Sequence, residues 1–174
     1  MKKIIKDIIP YVIIVLVVGL IRTFLVTPVI VSGDSMVPTL KNRELLLLNK
    51  INYQLNDIKR FDIVVIRLED KEIIKRVVGL PGEEIMYRNN TLYVDGHELD
   101  NEYTYNGEND KENFDTEDFS LKTICNCNTI PEDKYLVLGD NRGVSADSRM
   151  YGLIDKKDIE GRVKLSIWPI KIVK

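Results

Sequence analysis

Asp62-Ile63-Val64-Val65-Ile66-Arg67-Leu68, a polar break at Glu69-Asp70-Lys71, and then Glu72-Ile73-Ile74-Lys75-Arg76-Val77-Val78 read as two strands joined by a turn. β-Branched apolar runs of this length, bounded by turn formers, suit a pleated and buried surface. On the second strand Lys75 shares a face with Ile73 and Val77, while Arg76 points the other way. Further strand-length runs lie at 44–49, 84–88, 91–95, 134–138 and 162–168. Asn89-Asn90 gives a tight hairpin between two of them. Asp155 and Asp158 have the spacing of an N-cap and its acidic third residue, which predicts a helical turn over 155–160. The sum is a mainly β domain.

The chain has 174 residues, enough for one domain with a real core. Its formal net charge of -2 and dispersed basic residues argue against nucleic acid, which calls for a basic stripe. Lys2, Lys3 and Lys6 precede an apolar stretch over 8–21, and apolar character resumes over 24–31 after Arg22 and Thr23. This predicts one transmembrane helix over about 8–26, with Arg22 snorkelling to the headgroups. The region 20–31 offers no small-x-small cleavage site, so the anchor is expected to be retained. The lysines keep the N-terminus in the cytoplasm. The expected division is a tail and anchor over 1–31 and an extracytoplasmic domain over 32–174, with Pro28 marking the exit from the helix. A substrate would then be membrane-bound near its cut site, because Ser35 follows the anchor so closely.

Between 101 and 128, Glu102, Glu108, Asp110, Glu112, Asp115, Glu117 and Asp118 outnumber Lys111 and Lys122, and the segment reads as a solvated acidic loop or insertion with short strands at its ends. It lacks the glycine that a calcium loop needs at its sixth position, so no metal is expected. Cys125 and Cys127, one residue apart, read as free thiols or an incidental pair. The single histidine, His97, falls at a hairpin turn, Tyr93-Val94-Asp95-Gly96-His97, where a solvated role is expected.

A serine hydroxyl is a weak nucleophile until a neighbouring base takes its proton, and a desolvated lysine can be that base. Ser35 follows Gly33-Asp34, a turn able to expose a side chain and aim N–H groups at a carbonyl oxygen. Lys75, among apolar neighbours, would lose part of its ordinary pKa of about 10.4. With His97 set aside, Ser35 and Lys75 suggest a Ser-Lys hydrolase. A third element, Gly139-Asp140-Asn141-Arg142-Gly143-Val144-Ser145-Ala146-Asp147-Ser148-Arg149, is dense in short polar and charged groups able to hold a site rigid.

With these elements in order, the chain resembles the type I signal peptidases, membrane-anchored serine proteases with a Ser-Lys dyad that cut signal peptides from exported preproteins. The matching segments are the N-terminal anchor, 35–40, 60–65, 75–82 and 139–149, and the lysine base and short β-domain look like the bacterial, Gram-positive version. The resemblance implies Ser35 as nucleophile, Lys75 as general base, Ser145 as the hydroxyl orienting the ammonium, an Asp147–Arg149 salt bridge, and Asp140 and Arg142 shaping the same loop. It implies cleavage after small-x-small sites with no cofactor, and secretory preproteins and the lipid bilayer as partners. Shallow pockets for the small residues would be lined by Val29, Val31, Met36, Leu40 and Ile74, with substrate adding as a strand beside them. Two positions depart from the family pattern. Gly33 stands where certain members carry a serine that helps bind the oxyanion, and Phe61-Asp62 stands where many have Gly-Asp. Two rival readings are a self-cleaving repressor-type Ser-Lys protease, disfavoured by the anchor, and a membrane-tethered domain that binds partners through its acidic loop.

Overall fold

β3 (Ile63–Arg67) is buried along most of its length on both faces, which makes it the pivot of the fold. Ile63 and Val65 pack into one apolar cluster with Val31, Met36, Leu40, Leu46, Leu48 and Val163. Val64 and Ile66, on the other face, pack with Val77, Tyr135, Val137, Ile154 and Ile159. The period-2 alternation of a strand thus feeds two cores from one β-branched run. In the computed structural model, residues 8–14, 16–19, 26–50, 58–99 and 116–173 are described.

The remaining strands are β1 (Val26–Ile30), β2 (Leu45–Asn49), β4 (Glu72–Gly79), β5 (Ile85–Arg88), β6 (Thr91–Val94), β7 (His97–Leu99), β8 (Phe119–Ser120), β9 (Lys134–Leu138), β10 (Ile154–Asp155), β11 (Ile159–Trp168) and β12 (Ile170–Ile172). Two short helices, α1 (Leu121–Cys125) and α2 (Ser148–Tyr151), join them. The larger sheet runs β1-β2-β11-β3-β4-β9-β10, with β12 paired to β11. A four-stranded sheet, β7-β6-β5-β8, closes a third core around Tyr87, Leu92, Phe119, Leu121 and Leu136. Both asparagines of the β5–β6 turn sit in the left-handed region, as the Asn-Asn hairpin requires (φ 49° and 61°).

Several expectations change. Val26, the expected end of the membrane helix, opens β1, and 26–30 pair with β2 rather than belonging to an anchor. Pro28 is tolerated there because β1 is an edge strand. Residues 8–14 and 16–19 are helical, apolar and exposed, but no helix among the described residues is long and apolar enough to cross a membrane. Residue 15 and residues 20–25 of the expected span lie outside the described residues.

Most of the acidic segment, 101–115, also lies outside them. Its remainder is only in part a solvated loop, and the short strand expected at that end is present as β8. Thr116, Phe119 and Leu121 are buried, and β8 pairs with β5. Cys125 and Cys127 form a disulfide, contrary to the free-thiol expectation. Left-handed Asn126 caps α1 and folds the chain back, bringing the two Cα atoms to 5.3 Å, within bridging reach. The predicted turn at 155–160 is a single 3-10 turn, Lys156–Asp158, and the Asp155 carboxylate pairs with Lys134 instead of capping it.

Candidate active site

Ser35 lies in the turn that follows β1, and neighbouring backbone fixes this turn from two sides. Within it, the Val37 and Leu40 N–H groups donate to Asp34 O and Met36 O at 3.1 and 2.8 Å. Behind it, Asn141 donates from its backbone N–H to Ser35 O at 2.9 Å and from its side chain to Asp34 O at 3.1 Å. Gly33 precedes the turn at φ +90°, in the left-handed region that L residues avoid. That backbone suits the glycine found at this position. Among the described residues nothing accepts the Ser35 N–H, which leaves it available to a carbonyl oxygen.

β4 delivers Lys75 to this serine. Val64 of β3 pairs opposite Lys75, and the residue is only 3% exposed. Its Nζ lies 2.7 Å from Ser35 Oγ. Burial lowers the Lys75 pKa from its ordinary 10.5 to about 8; the charges of Asp147 and Asp140 resist the fall, while those of Lys71 and Arg149 assist it. A lysine so placed gives up its proton within reach of neutral pH, beside a hydroxyl that has one to donate.

The 139–149 loop supports the pair from below. Asp147 is fully buried and accepts from Arg149 Nε and Nη2, both at 2.9 Å, and from the Gly139 N–H at 3.0 Å. Burial pushes its carboxyl upward, but the Arg149 and Gly139 bonds outweigh that and hold it below the usual carboxylate range. Arg149 is in turn held more firmly protonated by Asp147. The Asp147–Arg149 pairing expected from sequence is therefore present.

Asp140 and Arg142 do not pair with each other. Asp140 takes a bidentate bond from Arg76, Nε–Oδ1 at 2.8 Å and Nη2–Oδ2 at 2.7 Å, with both side chains 2% exposed. Arg76 also donates to Phe61 O at 3.0 Å and to Thr39 Oγ1 at 3.4 Å, so one guanidinium ties the serine turn, the start of β3 and the loop together. Arg76 was not singled out by sequence, although its place beside Lys75 on an alternating strand puts it on the opposite buried face. Arg142 bonds Gly139 O at 2.9 Å and covers the Tyr87 ring at 5.4 Å, bridging to the second sheet.

The Ser145 hydroxyl is buried without a hydrogen-bond partner, so no bond to the Lys75 ammonium is present. It lies near enough to Asp147 to favour the charged carboxylate. Gly139 explains how closely these parts meet: a Cβ there would stand 2.1 Å from Ser145 Oγ and 2.6 Å from Ser35 O. His97 is exposed on β7 of the smaller sheet.

Two clefts open beside Ser35. One, of about 100 Å³, is bounded by Val29, Val31, Met36 and Ile74 of the expected pocket set. Leu40, the fifth, is instead fully buried in the core beneath. The other, of about 490 Å³, lies between the serine turn, Lys71, Asn141 and Tyr151. Phe61 occupies the left-handed region at φ 68°, the conformation for which glycine is suited.

A mainly β scaffold that seats a serine hydroxyl against a buried lysine has the form of a serine hydrolase. Residues 2–168 match the family described as signal peptidase, peptidase S26. The chain is 38% identical over 174 residues to signal peptidase IB of Staphylococcus aureus strain COL, covering 97% of this chain and 91% of that protein. It is 39% identical over 166 residues to signal peptidase I of Bacillus caldolyticus, covering 93% and 90%. The crystal structure of a signal peptidase I from Enterococcus faecalis V583 superposes with a TM-score of 0.57 at 37% identity, covering 62% of this chain and 97% of that one. The chain belongs to the signal peptidase family, peptidase S26. It is therefore a hydrolase, a serine protease acting on the signal peptides of preproteins.

Proposed function

We propose that this signal peptidase works through a Ser35–Lys75 dyad. The observation that carries the reading is the 2.7 Å contact between Ser35 Oγ and a lysine whose burial brings its pKa to about 8. Neutral Lys75 takes the hydroxyl proton as Ser35 attacks the scissile carbonyl and then delivers it to the leaving amine. Water repeats the route to release the acyl-enzyme. The Ser35 N–H stabilises the oxyanion, and Asp147 and Arg149 fix the loop that backs the serine turn.

The small apolar cleft at Val29, Val31, Met36 and Ile74 suits the side chains of a small-x-small site, and substrate backbone extends along the edge strand β1. Ser35→Ala and Lys75→Ala, each assayed with a preprotein bearing an Ala-x-Ala site, test the dyad. Loss of cleavage in both supports it, and cleavage surviving Lys75→Ala refutes it.

The same reading places a cytoplasmic tail and an anchor at the N-terminus and the catalytic domain outside the cytoplasm, on the bilayer surface. One face of the β1-β2-β11-β12 region supports this. Ile30, Trp168, Ile170 and Ile172 are 66%, 73%, 81% and 74% exposed. Leu165 pairs with Ile172 and Ile167 with Ile170, so four apolar side chains share that face. An exposed apolar face opposite a packed core suits a lipid surface better than water. Protease treatment of intact spheroplasts checks the orientation: digestion of the β domain supports it, and full protection refutes it.

A further inference from the structure

Lys71, in the turn between β3 and β4, is an exposed ammonium that meets no carboxylate within ion-pair distance among the described residues. Neutral groups hold it instead. Its Nζ donates to Tyr151 Oη at 2.9 Å and lies 5.2 Å from the centre of that ring. Both residues border the 490 Å³ cleft, whose wall also includes Ser35 and Lys75. A cation steadied in place by an aromatic hydroxyl, beside the cleft and without a counter-ion among the described residues, is set to receive an anion.

Chemistry fixes which part of the substrate passes there, on the reading of Ser35 and Lys75 as the dyad. The small apolar slot takes the side chains before the cut. The chain beyond the scissile bond must leave by the other side, past Lys75, which protonates its new amine. That side is the larger cleft, walled by Lys71 and Tyr151 across from the serine turn. Asp34 stands on the serine turn and borders the same cleft, so the charges there are segregated: an anion is favoured at the Lys71 wall and disfavoured at the Asp34 wall.

We propose that Lys71, steadied by Tyr151, is a specificity-determining residue that binds an acidic side chain among the first residues after the cleavage site. Peptide pairs identical up to the cut, carrying Glu or Gln at the first, second or third position beyond it, test this on the full chain in detergent. At one position the Glu peptide should have a kcat/KM about two- to fivefold above its Gln partner, carried by KM, the size expected of a partly exposed charge pair. Lys71→Gln should bring that ratio to one, Lys71→Glu should invert it, and Lys71→Arg should keep it. Tyr151→Phe should shrink it.

A ratio of one in the unmodified protein, or a preference persisting in Lys71→Gln, would overturn the proposal while leaving the dyad intact. So would a Lys71→Gln defect that appears only in vesicles containing phosphatidylglycerol, with the Glu-to-Gln ratio unchanged; that pattern would assign Lys71 to an anionic headgroup. Absence of any Ser35-dependent cleavage would refute the dyad itself and this subsite with it.

Discussion

Lys75 and Arg76 are consecutive on β4, equally sealed from solvent at 3% and 2% exposure, and they meet opposite fates on the two faces of one strand. Arg76 finds a carboxylate in bidentate contact at 2.7 and 2.8 Å. Lys75 finds a neutral hydroxyl, while the carboxylates of Asp147 and Asp140 act on it only as neighbouring charges. Burial by itself therefore does not make a base. Burial without a carboxylate in contact does, because desolvation of the charged form is then only partly offset by more distant charges.

This contrast can be broken first by making Lys75 more like its neighbour. Lys75→Arg keeps a buried cation but one that cannot release its proton near neutral pH. Its kcat should fall by about 10²–10⁴-fold, the span attributed to a general base, in a steady-state assay with substrate in excess of KM. The reverse change attacks the fold. Arg76→Met strands the Asp140 carboxylate and should cost about 3–5 kcal/mol in urea unfolding, most of it recovered by adding Asp140→Leu.

Lys75→Met should do the opposite of Arg76→Met, stabilising the domain at pH 7 by on the order of 2 kcal/mol, since it removes a desolvated charge without leaving a buried carboxylate in contact with nothing. The sign in pH follows from the lowered folded-state pKa. Between about 8 and 10.5 the unfolded chain binds more protons than the folded one, so the penalty at Lys75 fades with rising pH. Below about 8 the penalty is present in full. The advantage of Lys75→Met over the unmodified protein should accordingly shrink from pH 8 to pH 10. The smallest effect is kinetic: kcat/KM should rise about tenfold per pH unit below about 8 and then level off, reporting Lys75 in the free enzyme.

Sequence displayed the strands because apolar β-branched runs and turn residues are local signals. Runs expected at 134–138 and 72–78 appear as β9 and β4, and the Asn89-Asn90 hairpin forms. The site was legible as far as alternation carries: it put Lys75 and Arg76 on opposite faces. What each face would meet depends on topology. Asp140 lies 64 residues from Arg76, and a pairing across that separation leaves no local mark in the sequence. The Cys125–Cys127 bridge depends on one left-handed residue between them, Asn126, which composition does not reveal. Phe61 conceals its backbone in the same way, holding a left-handed conformation that a glycine would have announced. Leu40 looked like a pocket residue because it is apolar and near Ser35, whereas its turn directs it into the core.

Gly139 gives the site a mutational fragility of its own. Every replacement adds a Cβ, and that carbon would meet Ser145 on one side and the carbonyl of Ser35 on the other. No substitution there is conservative, alanine included. For a drifting sequence this position is a dead end: the serine turn and the 139–149 loop can change only in concert, at the one point where neither has a methyl group's width to yield.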